Sequence, residues 1–313
     1  MVDGGGFFAR FPWSMTVRTR NRLITFSILA GPFVFFFSLL LFWDAEPLPP
    51  VPPLPNPNGY EDLVKAGTMV SNDFEDYDKL SSAKLRELIN KNTEAIQTAR
   101  TGLQQECRVP LDYSATSSAH LDQLAALKRL AFAFAAEGRL AEMENRTGDA
   151  AKSYLEVIHL GHESARGGVI IDELVGIAIE AVGGEDLQKL LAQMGAKNCL
   201  ETVVTLETLD SQRQTWDEVM QQERDWSRRT FPGIRNELAR LMTRNSLNQV
   251  YQSAEQKFEN QQSKTRQLII DLAARAYESD KGHSPANLAD LVPDYLKAIP
   301  QDPLTGTNMT YQQ

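Results

Sequence analysis

Leu23 to Trp43 reads LITFSILAGPFVFFFSLLLFW and carries no charged residue. At 1.5 Å per residue, a helix of this length reaches roughly 30 Å, the thickness of a bilayer's hydrocarbon core. Gly31-Pro32 interrupts it, which membrane helices tolerate because neighbouring groups re-satisfy the freed backbone. A buried soluble helix is the competing reading, but a Phe-rich helix with no polar face and arginine flanks fits it poorly. Trp43 stands at the far edge, where an amphipathic indole prefers the membrane interface. The segment predicts a single transmembrane helix over 23–43, with the lipid bilayer as its partner.

The flanks set the expected orientation. Arg10, Arg18, Arg20 and Arg22 precede the helix against Asp3 alone, and Asp44 and Glu46 follow it. The positive-inside rule then keeps a basic tail, 1–22, in the cytoplasm and exports the rest. Phe42-Trp43-Asp44-Ala45-Glu46 lacks a small-residue cleavage pattern, so an uncleaved signal-anchor in the inner (cytoplasmic) membrane is expected, with a periplasmic body. The linker, 44–59, contains EPLPPVPPLPNPN from Glu46 to Asn58. Such proline density enforces polyproline II or irregular extended chain. As a spacer it could lift a domain about 35–40 Å off the membrane. A docking motif for a proline-binding domain is the alternative.

The chain has 313 residues, 42% of them hydrophobic, and a formal net charge of −9. That suffices for one or two domains with a real core. A duplex-DNA binder needs a basic footprint to neutralise phosphates, so no nucleic-acid partner is expected.

From 60 to 264 the pattern reads as helix after helix. Ser81 or Ser82 can cap an amphipathic stretch running to about Glu106. Ser117 or Ser118 can cap another, with Leu121, Leu124, Leu127, Leu130 and Phe134 at helical spacing, ending near Asn145. Thr147-Gly148-Asp149 reads as a turn before a helix through Tyr154 and Ile158. Gly167 to Gly184, GGVIIDELVGIAIEAVGG, is the most apolar stretch after the anchor. Asp172, Glu173 and Glu180 argue against a second membrane span. It reads as the central helix of a bundle, bounded by glycine pairs, with another helix opening at Glu185-Asp186. Asp210 to Ser263 is rich in Gln, Glu and Arg and broken at Pro232-Gly233, as expected of long, largely exposed helices. A final unit, 265–313, begins with a helix over 265–280. Ser284 can cap a short helix with Pro285 at its first position. Leu288, Leu291, Val292, Tyr295, Leu296 and Ile299 are its packing anchors, and Asn308 to Gln312 reads as a short strand. The fold class expected is all-α: a transmembrane helix, then an extracytoplasmic helical bundle with a short irregular or β C-terminal module.

Two stretches resemble known families. GRLAEMENRTGDAAKSYLEVIHL, Gly138 to Leu160, resembles a single tetratricopeptide-type helical hairpin, in which Ala141 and Ala151 allow close packing and Tyr154 fills the groove. No repeat at that family's period accompanies it. The spacing Gly282, Pro285, Leu288, Leu291, Pro293, Tyr295-Leu296, Pro300, Asp302-Pro303, Gly306, Tyr311 resembles the tail of type II secretion major pseudopilins, G-x-x-P-x-x-L-x-x-L followed by D-P-x-x-G. The resemblance covers roughly the last fifty residues and implies association with a pilin-like apparatus. The N-terminus departs from that family. Gly6-Phe7-Phe8-Ala9-Arg10-Phe11 lacks the glutamate of the pilin peptidase site, and three arginines separate it from the apolar helix.

Chemistry has few candidates. His159, His162 and Glu163 could share one side of a helix, but they do not form H-E-x-x-H, and no metal or other cofactor is expected. No nucleophile elbow, Walker loop or dinucleotide glycine motif occurs in the sequence. Asp172-Glu173 reads as a solvated helix edge, and no catalytic residue is assigned. Cys107 and Cys199 fall in the exported part, where an oxidising compartment permits a disulfide between them; two buried free thiols are the alternative. The expected role is a membrane-anchored, non-catalytic scaffold or interaction protein with an envelope protein partner. A secretion-apparatus component and an envelope enzyme with an unrecognised site are the alternatives.

Overall fold

The computed structural model describes residues 48–114 and 118–310, with the backbone alone at 72 and 234–245. The apolar segment 23–43, Ser117 and Tyr311 lie outside the described residues. Within them, no helix is long and apolar enough to cross a membrane.

The described chain is helical, as its periodicity predicts. Helix α1 spans Gly59–Met69, α2 Ser82–Lys91 and α3 Thr93–Leu103. The Ser81 hydroxyl accepts from the Lys84 N–H, as a serine cap should. The stretch expected as one helix to Glu106 is divided at Asn92. Its buried amide donates to the Leu88 carbonyl and accepts from Ser71 N–H, which competes with the helical ladder.

Helices α4 (Ser118–Met143) and α5 (Thr147–Ala165) form an antiparallel-connected hairpin. Its turn lies earlier than expected: Asn145 takes the left-handed conformation, φ 58°, and Thr147 already opens α5. Asparagine accepts that region more readily than most residues. Tyr154 is buried against Gly138, where a Cβ would stand 2.4 Å from its ring.

Helix α6 runs unbroken from Ile170 to Leu190. Gly183 and Gly184 are therefore not punctuation. Gly183 brings α6 against α5, where a Cβ would lie 2.5 Å from the Tyr154 carbonyl oxygen. Gly161 and Gly176 make a second close approach between the same helices. Helix α6 contributes to all three apolar clusters, through Ile179, Leu187 and Ile170. A helix that feeds three clusters keeps only a narrow exposed edge, on which Ile171, Glu185, Gln188 and Lys189 lie.

Helices α7 (Ala196–Ser211) and α8 (Trp216–Thr230) follow, α8 closed at its start by a Thr215–Glu218 capping box. Pro232-Gly233 separates α8 from α9, Ile234–Lys281. Its 48 residues make α9 about 72 Å long. The position expected to open a separate C-terminal unit, 265, lies inside α9. Gly282, φ 75°, ends it in the left-handed conformation.

After Gly282, the helix expected from Ser284 is one 3-10 turn, Leu288–Leu291, capped by Asn287. The Ser284 hydroxyl instead donates to Glu278, and Asp290 accepts from the Ala286 and Asn287 N–H groups. Of the strand expected over 308–312, the described residues show an isolated antiparallel bridge, Gln301 with Asn308. The anchors Leu288, Leu291, Tyr295 and Leu296 are buried in the same cluster as α5, α7 and the C-terminal half of α9.

Candidate functional site

The densest buried chemistry lies where α5, α6, the α7–α8 connection and α9 meet. Glu180 of α6 has a side chain 1% exposed, Arg213 one 5% exposed and His162 of α5 one 4% exposed. Arg213 Nη2 donates to Glu180 Oε1 at 2.5 Å, and Thr265 Oγ1 of α9 donates to the same oxygen at 2.7 Å. The His162 Nε2 stands 3.5 Å from it and 3.0 Å from Arg213 Nη2. A ring nitrogen facing a guanidinium can only accept, which in the neutral imidazole puts the proton on Nδ1. His162 Nδ1 and Arg213 Nε have no protein hydrogen-bond partner. Both residues line a small cavity with Gly161, Glu173, Gly176 and Gln214, with room on the order of one water molecule.

Arg213 reaches this site because the α7–α8 connection bends back over α6. Gln214 Nε2 holds that bend, donating to the Ala165 carbonyl at 3.1 Å and to Glu173 Oε2 at 2.6 Å. Gly161 and Gly176 let α5 and α6 close over the cluster. The Arg213 guanidinium also stacks over Phe258 of α9, 5.6 Å from its centroid.

The charges are tuned by opposing effects. Burial alone would raise the Glu180 pKa, but the Arg213 guanidinium reverses this and holds the carboxyl well below its ordinary range. Burial disfavours the Arg213 charge, and Glu180 more than offsets this. Glu173 is the exception. Burial pushes its pKa up against Gln214 and Arg213, whose Nη1 is 4.0 Å away.

The sequence-derived candidates are dispersed. His162 turns to Glu180. Glu163 points elsewhere and takes a paired contact from Arg166, 2.6 and 2.9 Å. His159 Nε2 is 3.8 Å from Glu163, and burial lowers its pKa. Among the described residues, no three His, Cys, Asp or Glu side chains converge at metal-binding separations. Cys107 and Cys199 are buried free thiols in different apolar clusters. Burial pushes their pKa up to about 12 and about 11.

Asp172 and Glu173 correct the reading of a solvated edge: both are buried. Asp172 Oδ2 accepts from Val169 N–H at 2.8 Å, capping α6, and its Oδ1 stands 2.7 Å from His120 Nε2 of α4. That bond, before all else, raises the His120 pKa. Arg213, Gln214, Thr265 and His120 carry no local motif. The one sequence signal was Glu173, Gly176 and Glu180 on one face of an otherwise apolar helix.

Chemically, the arrangement is a clamp. One carboxylate is held ionised by a guanidinium and a hydroxyl from different segments, and the guanidinium also donates to an imidazole from a third. Comparison of the chain with family models, with curated proteins and with solved structures returned no match.

Proposed function

We propose that this chain is a membrane-anchored, non-catalytic scaffold of the bacterial cell envelope. Its helical body stands on the extracytoplasmic side and presents a fixed surface to an envelope protein. The observation that carries this reading is the use to which the buried charges are put. Glu180 accepts from Arg213 and Thr265, and Arg213 donates also to His162, so the network joins α5, α6, α9 and the α7–α8 connection. A catalytic acid or base must instead reach a substrate proton. The apolar segment 23–43 with its arginine flank supports the anchor and the orientation.

A reporter active only outside the cytoplasm should work when fused after Gln313 and fail when fused before Leu23. Crosslinking in native membranes should then trap a discrete envelope protein on the body. The reverse reporter pattern rejects the topology. Turnover of an envelope substrate by the purified chain, abolished by Glu180→Gln in a folded variant, rejects the scaffold role.

A further inference from the structure

We infer that the corner between α8 and α9 lies against the bilayer and recognises anionic lipid headgroups. The inference rests on the anchor reading above and adds a surface and its ligand. The proline linker does not stand clear of the body as a free spacer. The Arg229 guanidinium donates to the Pro49 carbonyl, and the linker's other end is fixed at Asn58. Asn58 Nδ2 donates to the Arg108 carbonyl at 2.8 Å, and its Oδ1 accepts from Arg108 N–H at 3.0 Å.

Chain length turns this attachment into a distance limit. Pro49 is six residues after Trp43, and extended chain spans at most about 3.5 Å per residue, so about 20 Å in all. The Pro49 carbonyl, and with it the Arg229 guanidinium from the end of α8, is therefore held within about 20 Å of the anchor's last residue, whatever path the intervening chain takes. The far end of the body is elsewhere. Arg266, whose Nη1 donates to the Gln301 carbonyl, is 32 residues along α9 from Ile234, about 48 Å.

The tethered corner has the chemistry of an anionic surface's partner. In a chain of net charge −9, the end of α8 holds Arg224, Arg228 and Arg229 against Asp225. Arg224 and Arg228 are exposed. Arg229 stacks over Tyr113, and Trp226 donates to the Asp112 carbonyl at 2.8 Å, fixing the end of α8. Phe231, 40% exposed, meets the Trp226 ring edge-on. Arginines beside aromatic rings suit the headgroup layer, where charge and amphipathic rings are both favoured.

The full chain would be reconstituted in phosphatidylcholine vesicles with or without phosphatidylglycerol. A nitroxide would be placed on Phe231→Cys or on Leu304→Cys; the buried Cys107 and Cys199 do not compete for label. A nickel-chelating lipid reports proximity to the headgroups. Relaxation should be several-fold greater at 231 than at 304 on phosphatidylglycerol vesicles. It should fall on neutral vesicles, and in Arg224→Gln/Arg228→Gln, which leaves the Arg229 attachment intact. A chain that does not float with vesicles fails the anchor reading itself. A chain that floats with equal relaxation at both labels overturns the placement of the corner. Equal contact on neutral vesicles overturns recognition of charge.

Discussion

Glu180 and Arg213 depend on each other. Removing the carboxylate leaves a guanidinium in a closed site without its nearest countercharge. Glu180→Gln should cost about 3–5 kcal/mol, the usual penalty for breaking a buried pair from one side. Glu180→Gln with Arg213→Met should recover a large part of that loss, because neither charge then remains unpaired. Thermal unfolding of the purified single and double variants measures the coupling; additive losses would mean the pair is not the unit of stability. Glu173 should behave oppositely. Its folded pKa is raised by burial, so the fold bears no cost below the unfolded pKa, a growing cost as pH rises from the unfolded pKa to the folded one, and the full cost above it. Glu173→Gln removes the ionised form, and the replacement's amide oxygen can still accept from Gln214. Neutral-pH stability should rise, on the order of 1 kcal/mol, and the gain should vanish on acidification. A gain that persists unchanged at low pH would reject this account.

Between elements, the decisive contact is the glycine-lined approach of α5 and α6. A Cβ at Gly176 would stand 2.6 Å from the Gly161 carbonyl oxygen, which is backbone and cannot swing away. Gly176→Ala should force the helices apart and cost about 1–3 kcal/mol. Gly184, on the same helix, has nothing within 4 Å of its Cβ position. Gly184→Ala should stabilise by about 0.5–1 kcal/mol through helix propensity alone. Chemical denaturation of the two variants separates packing from propensity, and equal effects would refute the close approach. These glycines also mark where the sequence stopped being legible. Periodicity placed α4, α5 and the start of α2, because each signal sits within a turn or two of itself. Gly167-Gly168 does separate α5 from α6, but Gly183-Gly184 looked like a boundary too and lies inside α6, since an element's neighbours are invisible locally. Asp172 and Glu173 looked solvated for the same reason. Their partners, His120 and Gln214, lie 52 and 41 residues away, and only the tertiary fold brings them into range. Asn92 was missed differently: nothing in the pattern showed that its amide would take the Leu88 carbonyl.

At the scale of the whole molecule, the chain after Gly282 closes one of the body's apolar clusters. Leu291 and Leu296 are buried, and they share a cluster with Tyr154 of α5, Cys199 and Val203 of α7, and Ile270 and Ala273 of α9. Tyr295 adds an edge-on ring contact with Tyr277 and a hydroxyl bond to Asp280, 3.1 Å. From the other side, Glu207 of α7 accepts from the Lys297 N–H at 3.0 Å. The tail thus bridges α7 and α9 from outside the hairpin of α4 and α5. Leu291→Ala should cost about 2–5 kcal/mol, the range for truncating a buried leucine that leaves a cavity. Ending the chain at Gly282 should cost more and expose apolar surface to a hydrophobic dye. Asp302→Ala should cost far less. Its carboxylate accepts from the Leu304 N–H at 3.1 Å and the Thr305 hydroxyl at 3.0 Å, which are turn contacts worth about 1 kcal/mol. Melting of the three variants beside the intact chain orders the effects. If truncation left the melting temperature unchanged, the tail would be an undocked arm, and its pseudopilin-like spacing would point to binding rather than to closure of the core.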